Sequence, residues 1–292
     1  MIAMLALLAA QAATPAPKTL SAQDIIDSAP SQAWKAIPAD DILRLRLEGG
    51  RDVYIQLAPG FTPVHVANVR ALARGGYWKD ATVYRVQDNF VAQWGIDETK
   101  RALPKGAVAV PPAEYERDAK GLTFTKLDQP DPYADQSGFS GGWPMSIRNE
   151  KAALAHCYGT VGVARDEAPD TGMGGELYAI IGQPPRRLDR NLAIVGRVIE
   201  GIEHLSALPR GPIADRGRYG KAVKPVPIVS VAMESDLPAA EQVRFERFDT
   251  EAPDFSAYLA KKTADTNAFY VVPAGGVDLC SAPVPVRRVA LK

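Results

Sequence analysis

The stretch TPVHVANVRALARGGYWKDATVYRVQDNFVAQWG, residues 62–95 of a 292-residue chain, carries the clearest structural pattern in the sequence. Its first half predicts an amphipathic helix, since Pro63 suits the first helical position, Thr62 is a plausible N-cap and Gly75 suits the C-terminal end. Its second half, ATVYRV followed by FVAQWG, predicts two strands joined by a short turn. We therefore expect a helix that covers the start of a sheet.

Arg85, in the first of these strands, raises the main chemical question, because a permanent charge stands among apolar residues. In a regular strand Arg85 points to one face, and Tyr84 and Val86 point to the other. Phe90 and Gln93 in the second strand also fall on opposite faces, unless a bulge near the start of that strand brings them together. Strand spacing alone leaves open a simpler alternative, in which Arg85 pairs with an acidic residue on a barrel surface.

The rest of the chain predicts many short strands. Alternation or short apolar runs mark ILRLRL, DVYIQL, YGTVGVAR, ELYAIIG, LAIVGRV and VPIVSVAM, with a further short helix in IEGIEHLSALPRG. Residues 97–155 predict a long irregular stretch, and GFSGG at 138–142 predicts a flexible loop, because it lacks the strand and helix that flank a nucleophile elbow. Short strands with helices near both ends of the series predict a β-barrel or sandwich with two covering helices.

Charge and composition exclude several classes of function. Lys plus Arg and Asp plus Glu both number 34, so the net charge of zero gives no reason to expect nucleic acid or an anionic membrane as a partner. The three histidines and two cysteines show no zinc-binding spacing, and no metal is expected. Cys157 and Cys280 can form one disulfide in an oxidising compartment or remain two thiols.

The N-terminal sequence MIAMLALLAAQAATPAP predicts export. An apolar run followed by Ala10-Gln11-Ala12 is typical of a signal peptide at residues 1–12, cleaved after Ala12, although no Lys or Arg precedes the run. The run is too short to span a bilayer, so no stable membrane span is expected in the mature protein. We expect a periplasmic or secreted protein, with a linker and short helix at 13–40.

Residues 62–95 resemble the cyclophilin family of peptidyl-prolyl cis–trans isomerases. The family's T-P-x-x-x-x-N-F helix, Y-x-x-x-x-F-H-R-V strand and x-F-x-x-Q-G-G-D segment are matched by Thr62, Pro63, Asn68, Tyr77, Arg85, Phe90, Gln93 and Gly95. Two more degenerate blocks, residues 158–183 and 188–208, are similar to the family's GxxSMANxxxxTNGSQFFI and LDGKHVVFGKVxxGMxVV. Order and spacing hold over 41–236, so the resemblance implies an isomerase domain there and leaves a C-terminal extension of unknown role at 237–292.

The resemblance implies a mainly β fold, a closed eight-stranded antiparallel barrel with two capping α-helices. It also implies isomerisation of X-Pro bonds in unfolded or proline-containing polypeptides, with no cofactor. Arg85 would donate a hydrogen bond to the prolyl nitrogen of the twisted transition state, Phe90 would floor the proline pocket, and Gln93 would hold the peptide backbone. The further substrate-binding residues that the resemblance implies are Val91, Arg165, Tyr178 and Leu192.

Several positions depart from the family pattern. Tyr84 replaces the usual phenylalanine, and no histidine separates it from the arginine. Trp94 replaces a glycine and is expected to crowd the pocket rim, and Arg165 stands at an asparagine that contacts peptide backbone. Leu192 falls where many members have a pocket histidine, and Arg187 falls near a tryptophan that binds cyclosporin. These changes predict weak cyclosporin binding and an altered substrate preference.

Two other functions remain open. The changed pocket positions are compatible with a catalytically weak proline-peptide binding module or a holdase-like chaperone of the cell envelope. The extension at 237–292 is compatible with a scaffold that docks a partner in an envelope complex. Retention of Arg85, Phe90 and Gln93 together favours the enzyme, which is expected to be a monomer.

Overall fold

The structure is a computed structural model, and it describes residues 20–97, 99, 101–221, 223–264 and 269–289. The predicted signal peptide at 1–12 lies outside these residues. The helices within them are α1 (Ala22–Ser28), α2 (Pro63–Arg74), α3 (Ile202–Ser206) and α4 (Pro253–Ala264). None of the described helices has both the length and the apolar character needed to cross a membrane.

Strands form most of the regular structure. They are β1 (Trp34–Ala36), β2 (Ile42–Leu47), β3 (Arg51–Leu57), β4 (Thr82–Val86), β5 (Val91–Gly95), β6 (Arg117–Asp118), β7 (Thr125–Lys126), β8 (Gln136–Ser140), β9 (Trp143–Arg148), β10 (Lys151–Leu154), β11 (Thr160–Val163), β12 (Glu176–Ile180), β13 (Ile194–Glu200), β14 (Val226–Met233), β15 (Arg244–Phe248) and β16 (Val286–Val289). The helix and the two strands predicted within residues 62–95 are confirmed.

Eight of these strands close into an antiparallel barrel in the order β11-β12-β5-β4-β14-β2-β3-β13. Helix α2 buries Val66, Val69 and Leu72 against the barrel interior, and the region of α3 contributes Leu205 to the same apolar cluster. The fold class predicted from the sequence, a mainly β protein with a closed eight-stranded barrel, is therefore confirmed.

The alternation of ILRLRL shows how one barrel strand serves two environments. The three leucines of β2 lie in the barrel core, and its two arginines pair with carboxylates of other segments. Arg44 Nε lies 2.6 Å from Glu234 Oε1, and Arg46 contacts both carboxylate oxygens of Asp52. Both arginines of this strand are therefore neutralised by direct contact with an acid.

The N-terminus of α2 is stabilised differently from the sequence prediction. Thr62 precedes the helix, but its hydroxyl donates to the backbone oxygen of Ile194 at 2.9 Å and caps no helical N–H. The carboxylate of Glu114 takes that role, since it accepts from the backbone N–H groups of Val64 and His65 at 2.9 Å each. A partner about fifty residues away in sequence thus supplies the negative charge that a helix N-terminus favours.

The stretch 97–155, predicted to be irregular, contains a five-stranded sheet in the order β6-β10-β9-β8-β7. GFSGG is not a flexible loop: Ser140 ends β8, and Gly141 and Gly142 form the turn into β9 with φ of 57° and 86°. Glycine adopts such left-handed conformations without the steric cost that a Cβ atom adds, which suits both positions to a tight turn between two strands. The prediction failed because these strands are short and interrupted by glycine and proline, which hides their alternation.

The C-terminal extension packs against the N-terminal segment. Strand β1 pairs with β15, β15 pairs with β16, and Trp34 lies edge-on to Phe248 within an apolar cluster that also includes α4. A disulfide joins Cys157 to Cys280, so the open choice between a bridge and two thiols is resolved as a bridge. This bond ties the extension to the residues that lead into β11.

The disulfide closes a long loop, because its cysteines are 123 residues apart. Such a cross-link restricts the unfolded chain, and its loss costs about 2–5 kcal/mol of stability. We expect the double variant Cys157→Ala/Cys280→Ala to lose that amount of unfolding free energy in urea titrations. Reduction of the native protein provides the matched comparison and should produce a similar loss, whereas reduction of the variant should change nothing. Equal stability of the native protein and the variant would contradict this expectation.

Candidate active site

A β-bulge in β4 places two consecutive side chains on the same outer surface of the barrel. Val83 pairs with Trp94 of β5, and Arg85 pairs with Gln93, so Tyr84 is an extra residue in the ladder. The predicted opposition of Tyr84 and Arg85 is therefore wrong, and the bulge lies in β4 and not at the start of β5. Both side chains line one groove, whereas Val83 is fully buried in the barrel core.

That groove has a volume of about 950 Å³ and runs along the outer surface of β4, β5 and β12. All seven side chains singled out in the sequence line it: Arg85, Phe90, Val91, Gln93, Arg165, Tyr178 and Leu192. They come from separate parts of the chain. The barrel pairing of β4, β5 and β12 brings five of them together, and the pairing of β11 with β12 and β13 places Arg165, just after β11, and Leu192, just before β13, beside them.

Arg85 is held by neutral oxygen atoms. Its Nη1 donates to Gln93 Oε1 at 3.0 Å, its Nη2 to Gln87 Oε1 at 2.5 Å, and its Nε to the backbone oxygen of Arg216 at 2.8 Å. Among the described residues no carboxylate lies within ion-pair distance, so the surface-pair alternative does not apply there. Burial lowers the pKa of the Arg85 guanidinium, and nearby Arg218 lowers it further. The guanidinium is thus fixed, charged and not neutralised by an acid.

Tyr84 orients the amide beside the arginine. Its hydroxyl donates to Glu176 Oε2 at 2.6 Å and accepts a short hydrogen bond from Gln93 Nε2. Burial and the adjacent Glu176 carboxylate raise the pKa of the Tyr84 hydroxyl, so Tyr84 keeps its proton at neutral pH. With Nε2 committed to Tyr84, the Oε1 atom of Gln93 faces Arg85.

Glu176 was missed in the sequence, although a signal was present. It lies two residues before Tyr178, at the glutamine of the TNGSQFFI pattern. It lines the groove, and it accepts a second, longer hydrogen bond from Gln93 Nε2 at 3.3 Å. A carboxylate therefore anchors the far end of the hydrogen-bond chain that runs through Tyr84 and Gln93 to Arg85.

An apolar wall lies beside the arginine. Val91, Tyr178 and Ile180 are buried together, and Phe90 and Leu192 pack against them. The Arg85 guanidinium carbon lies 5.8 Å from the centre of the Phe90 ring. An apolar surface next to a fixed cation can hold a small ring while offering it a hydrogen-bond donor.

The position of Tyr178 depends on a glycine and on a buried histidine. Gly162 of β11 lies directly opposite Tyr178, and a Cβ atom at Gly162 would collide with the tyrosine hydroxyl. That hydroxyl lies 2.9 Å from His156 Nε2, and His156 Nδ1 lies 2.9 Å from Asp189 Oδ1. Burial raises the pKa of Tyr178, so its hydroxyl stays protonated. His156 was not singled out in the sequence, because its partners lie 22 and 33 residues away.

Arg165 lies in the groove, as the resemblance implies, whereas Trp94 does not lie at its rim. Arg165 lines the groove, where its Nη1 donates to the Asp166 oxygen at 2.7 Å and its Nη2 to the Asn191 oxygen at 3.0 Å. Trp94 is 1% exposed and lies in the barrel core, so the expectation that it crowds the pocket rim is wrong. The alternation of β5 accounts for this, because Val91 and Gln93 point outward and Trp94 points inward.

A search of the described residues for metal ligands finds no group of three or more His, Cys, Asp or Glu side chains that could hold an ion. The groove itself presents a fixed guanidinium, amide, hydroxyl and carboxylate groups and an apolar wall.

Comparison with known proteins agrees with this geometry. Residues 42–233 match the family model described as cyclophilin type peptidyl-prolyl cis-trans isomerase/CLD. Probable peptidyl-prolyl cis-trans isomerases of Brucella suis and Brucella abortus are 25% identical over 206 residues, which is 70% of this chain and 88% of theirs. Cyclophilin AquaCyp293 from Hirschia baltica is similar in structure, with a TM-score of 0.72 and 23% identity over 94% of this chain and 100% of that one. This chain belongs to the cyclophilin-type peptidyl-prolyl cis–trans isomerase family.

Proposed function

We propose that the groove isomerises X-Pro bonds, with the Arg85 guanidinium as the hydrogen-bond donor to the prolyl nitrogen. One observation carries the proposal: Arg85 is held by three neutral oxygen acceptors beside an apolar wall, and no described carboxylate neutralises it. Arg44 and Arg46 of β2, by contrast, are each engaged by an acid.

The chemistry of the X-Pro bond explains why a fixed cation is useful. Rotation about the bond has a barrier of about 18–20 kcal/mol, because the planar form is stabilised by resonance. In the twisted form this resonance is lost, and the prolyl nitrogen becomes pyramidal with a free lone pair. A donor aimed at that lone pair stabilises the twisted form more than the planar form, which lowers the barrier.

The remaining groove residues bind the substrate. Phe90, Val91, Tyr178 and Leu192 supply the apolar surface for the proline ring. Gln93, oriented by Tyr84, holds both Arg85 and the substrate backbone. Arg165 also lines the groove and contributes a further donor to the substrate backbone.

The substrates are unfolded or proline-containing polypeptides outside the cytoplasm, and the enzyme acts on them as a monomer. Two observations support export: the predicted signal peptide at 1–12 and the disulfide between Cys157 and Cys280. Disulfides persist in oxidising compartments such as the bacterial periplasm. The protein therefore assists the folding of exported proteins, for which slow X-Pro isomerisation is a rate-limiting step.

Replacement of Arg85 tests the catalytic role. In a protease-coupled assay on X-Pro peptides, Arg85→Ala should lower kcat/KM about 100-fold, a loss typical of removing one transition-state donor. Arg46→Ala is the matched control, because Arg46 lies on the barrel surface outside the groove and should leave kcat/KM unchanged. A folded Arg85→Ala protein with native kcat/KM would contradict the proposed mechanism. Absence of activity in the native protein, with proline-peptide binding retained, would favour the binding-module or chaperone alternative.

Replacement of Tyr84 tests the hydrogen-bond chain. Tyr84→Phe removes the hydroxyl that orients Gln93, at a cost of about 1 kcal/mol for one hydrogen bond, so kcat should fall about fivefold with little change in KM. Tyr158→Phe is the control, because Tyr158 is exposed and lies outside the groove. Equal kcat values for Tyr84→Phe and the native protein would show that Gln93 needs no such support.

Export is tested by the N-terminus of the mature protein. When the full chain is produced in a bacterium, the periplasmic fraction should contain a protein that begins at Ala13, since cleavage is expected after Ala12. Intact-mass measurement gives the answer directly. A protein that retains Met1 and stays in the cytoplasmic fraction would contradict export.

A further inference from the structure

A second pocket lies between the barrel and the C-terminal extension. It has a volume of about 270 Å³ and shares no lining residue with the isomerase groove. Its wall is largely apolar and includes both cysteines of the disulfide. The lining includes one charged side chain, Arg197, and the apolar or aromatic side chains of Trp143, Leu154, Ile194, Pro283 and Val284.

Arg197 of β13 is the only described cation that lines this pocket. Its Nε and Nη2 atoms both donate to one acceptor, Gln56 Oε1, at 3.1 and 2.9 Å. Its guanidinium carbon lies 4.8 Å from the centre of the Trp143 ring. Among the described residues, Nη1 has no hydrogen-bond acceptor and no carboxylate lies within ion-pair distance of the side chain. One edge of the guanidinium fork is therefore open toward the pocket.

Arg247 of β15 adds a second positive charge to the same region. Its side chain packs on Gly142, next to Trp143, and its hydrogen bond in the structure runs from Nη1 to its neighbour's backbone oxygen at 3.3 Å. Burial lowers the pKa of Arg197 to about 9, and the charge of Arg247 contributes to this shift. Because that pKa remains above neutrality, Arg197 is still a cation at pH 7. The charge of Arg247 is partly offset by the carboxylates of Asp249 and Glu251, whereas Arg197 is desolvated and has no described acid within ion-pair distance.

A desolvated guanidinium costs free energy unless an anion or several acceptors compensate it. The planar fork of arginine matches a carboxylate, which accepts two parallel hydrogen bonds. The apolar wall and the Trp143 ring would cover the body of such a ligand, and a volume of 270 Å³ is close to the lower end of small-molecule pockets, about 300 Å³. We infer that this pocket binds a carboxylate with a compact apolar body, through Arg197.

Benzoate and benzamide provide the direct test, because they have nearly the same shape and differ in charge. Isothermal titration calorimetry on the full mature protein should show saturable binding of benzoate, and at least tenfold weaker binding of benzamide. The melting temperature should rise with benzoate in the same concentration range, since a ligand of the folded state stabilises it. A free acid and a peptide C-terminus share this chemistry. Acetyl-Ala-Phe with a free C-terminal carboxylate is therefore included beside its amide.

Two variants assign the binding to Arg197. Arg197→Gln keeps an amide donor for Gln56 but removes the charge, and Arg197→Met removes both; each should weaken benzoate binding at least tenfold. Arg74→Met is the control, because Arg74, the last residue of α2, pairs with Asp40 and Asp236 and lies outside the pocket. The Arg74→Met protein should bind benzoate with native affinity. Circular dichroism and isomerase activity show that each variant is folded.

The ligand series distinguishes the two sources of a carboxylate. If benzoate binds more tightly than the peptide acid, the site is assigned to a small free acid. If the peptide acid binds more tightly and its amide does not bind, the site is assigned to a peptide C-terminus. Either result supports a carboxylate site. Equal binding of benzoate and benzamide, no binding of any acid, or native affinity in the folded Arg197→Gln protein would overturn the inference.

Discussion

The extra residue in β4 is the constraint on which the isomerase site depends. A regular strand would send Tyr84 and Arg85 to opposite surfaces, and one of them would enter the barrel core. The bulge turns both outward and still leaves Val83 and Val86 buried, so the core is kept intact. The bulge thereby places the Arg85 guanidinium and the Tyr84 hydroxyl, which orients Gln93, on one surface of the barrel.

The second requirement is that the cation be fixed without being neutralised. An ion pair would hold Arg85 firmly, but the acid would compete with a substrate for the N–H groups of the Arg85 guanidinium. Amide and carbonyl oxygens hold Arg85 instead. The carboxylate of Glu176 contacts Tyr84 and Gln93, and only Gln93 contacts Arg85 directly. The loss of solvation of Arg85 is offset by these neutral acceptors, and its charge remains available to a developing lone pair.

Local patterns predicted the parts of the fold that depend on local physics. Helix α2, strands β2 to β5 and the closed barrel follow from periodicity, from Pro63 and from the family resemblance. The resemblance, and not strand spacing, indicated Arg85, Phe90 and Gln93 as groove residues. What escaped prediction or stayed open depends on partners distant in sequence: the Glu114 cap of α2, His156 behind Tyr178 and the Cys157–Cys280 bridge. The sheet within 97–155 was missed because its strands are short and interrupted by glycine and proline. The inward position of Trp94 was missed because its place in the family pattern, next to Gln93, was given more weight than the alternation of β5, which puts the two side chains on opposite faces.

A crystal structure of the protein with a short Ala-Pro peptide tests the central claim most directly. We expect the proline ring to lie on the apolar wall formed by Phe90, Val91 and Tyr178. We also expect an Arg85 Nη atom within about 3.5 Å of the prolyl nitrogen, the separation at which a catalytic contact can tighten. A proline ring bound elsewhere, or an X-Pro bond turned away from Arg85, would contradict the proposed mechanism.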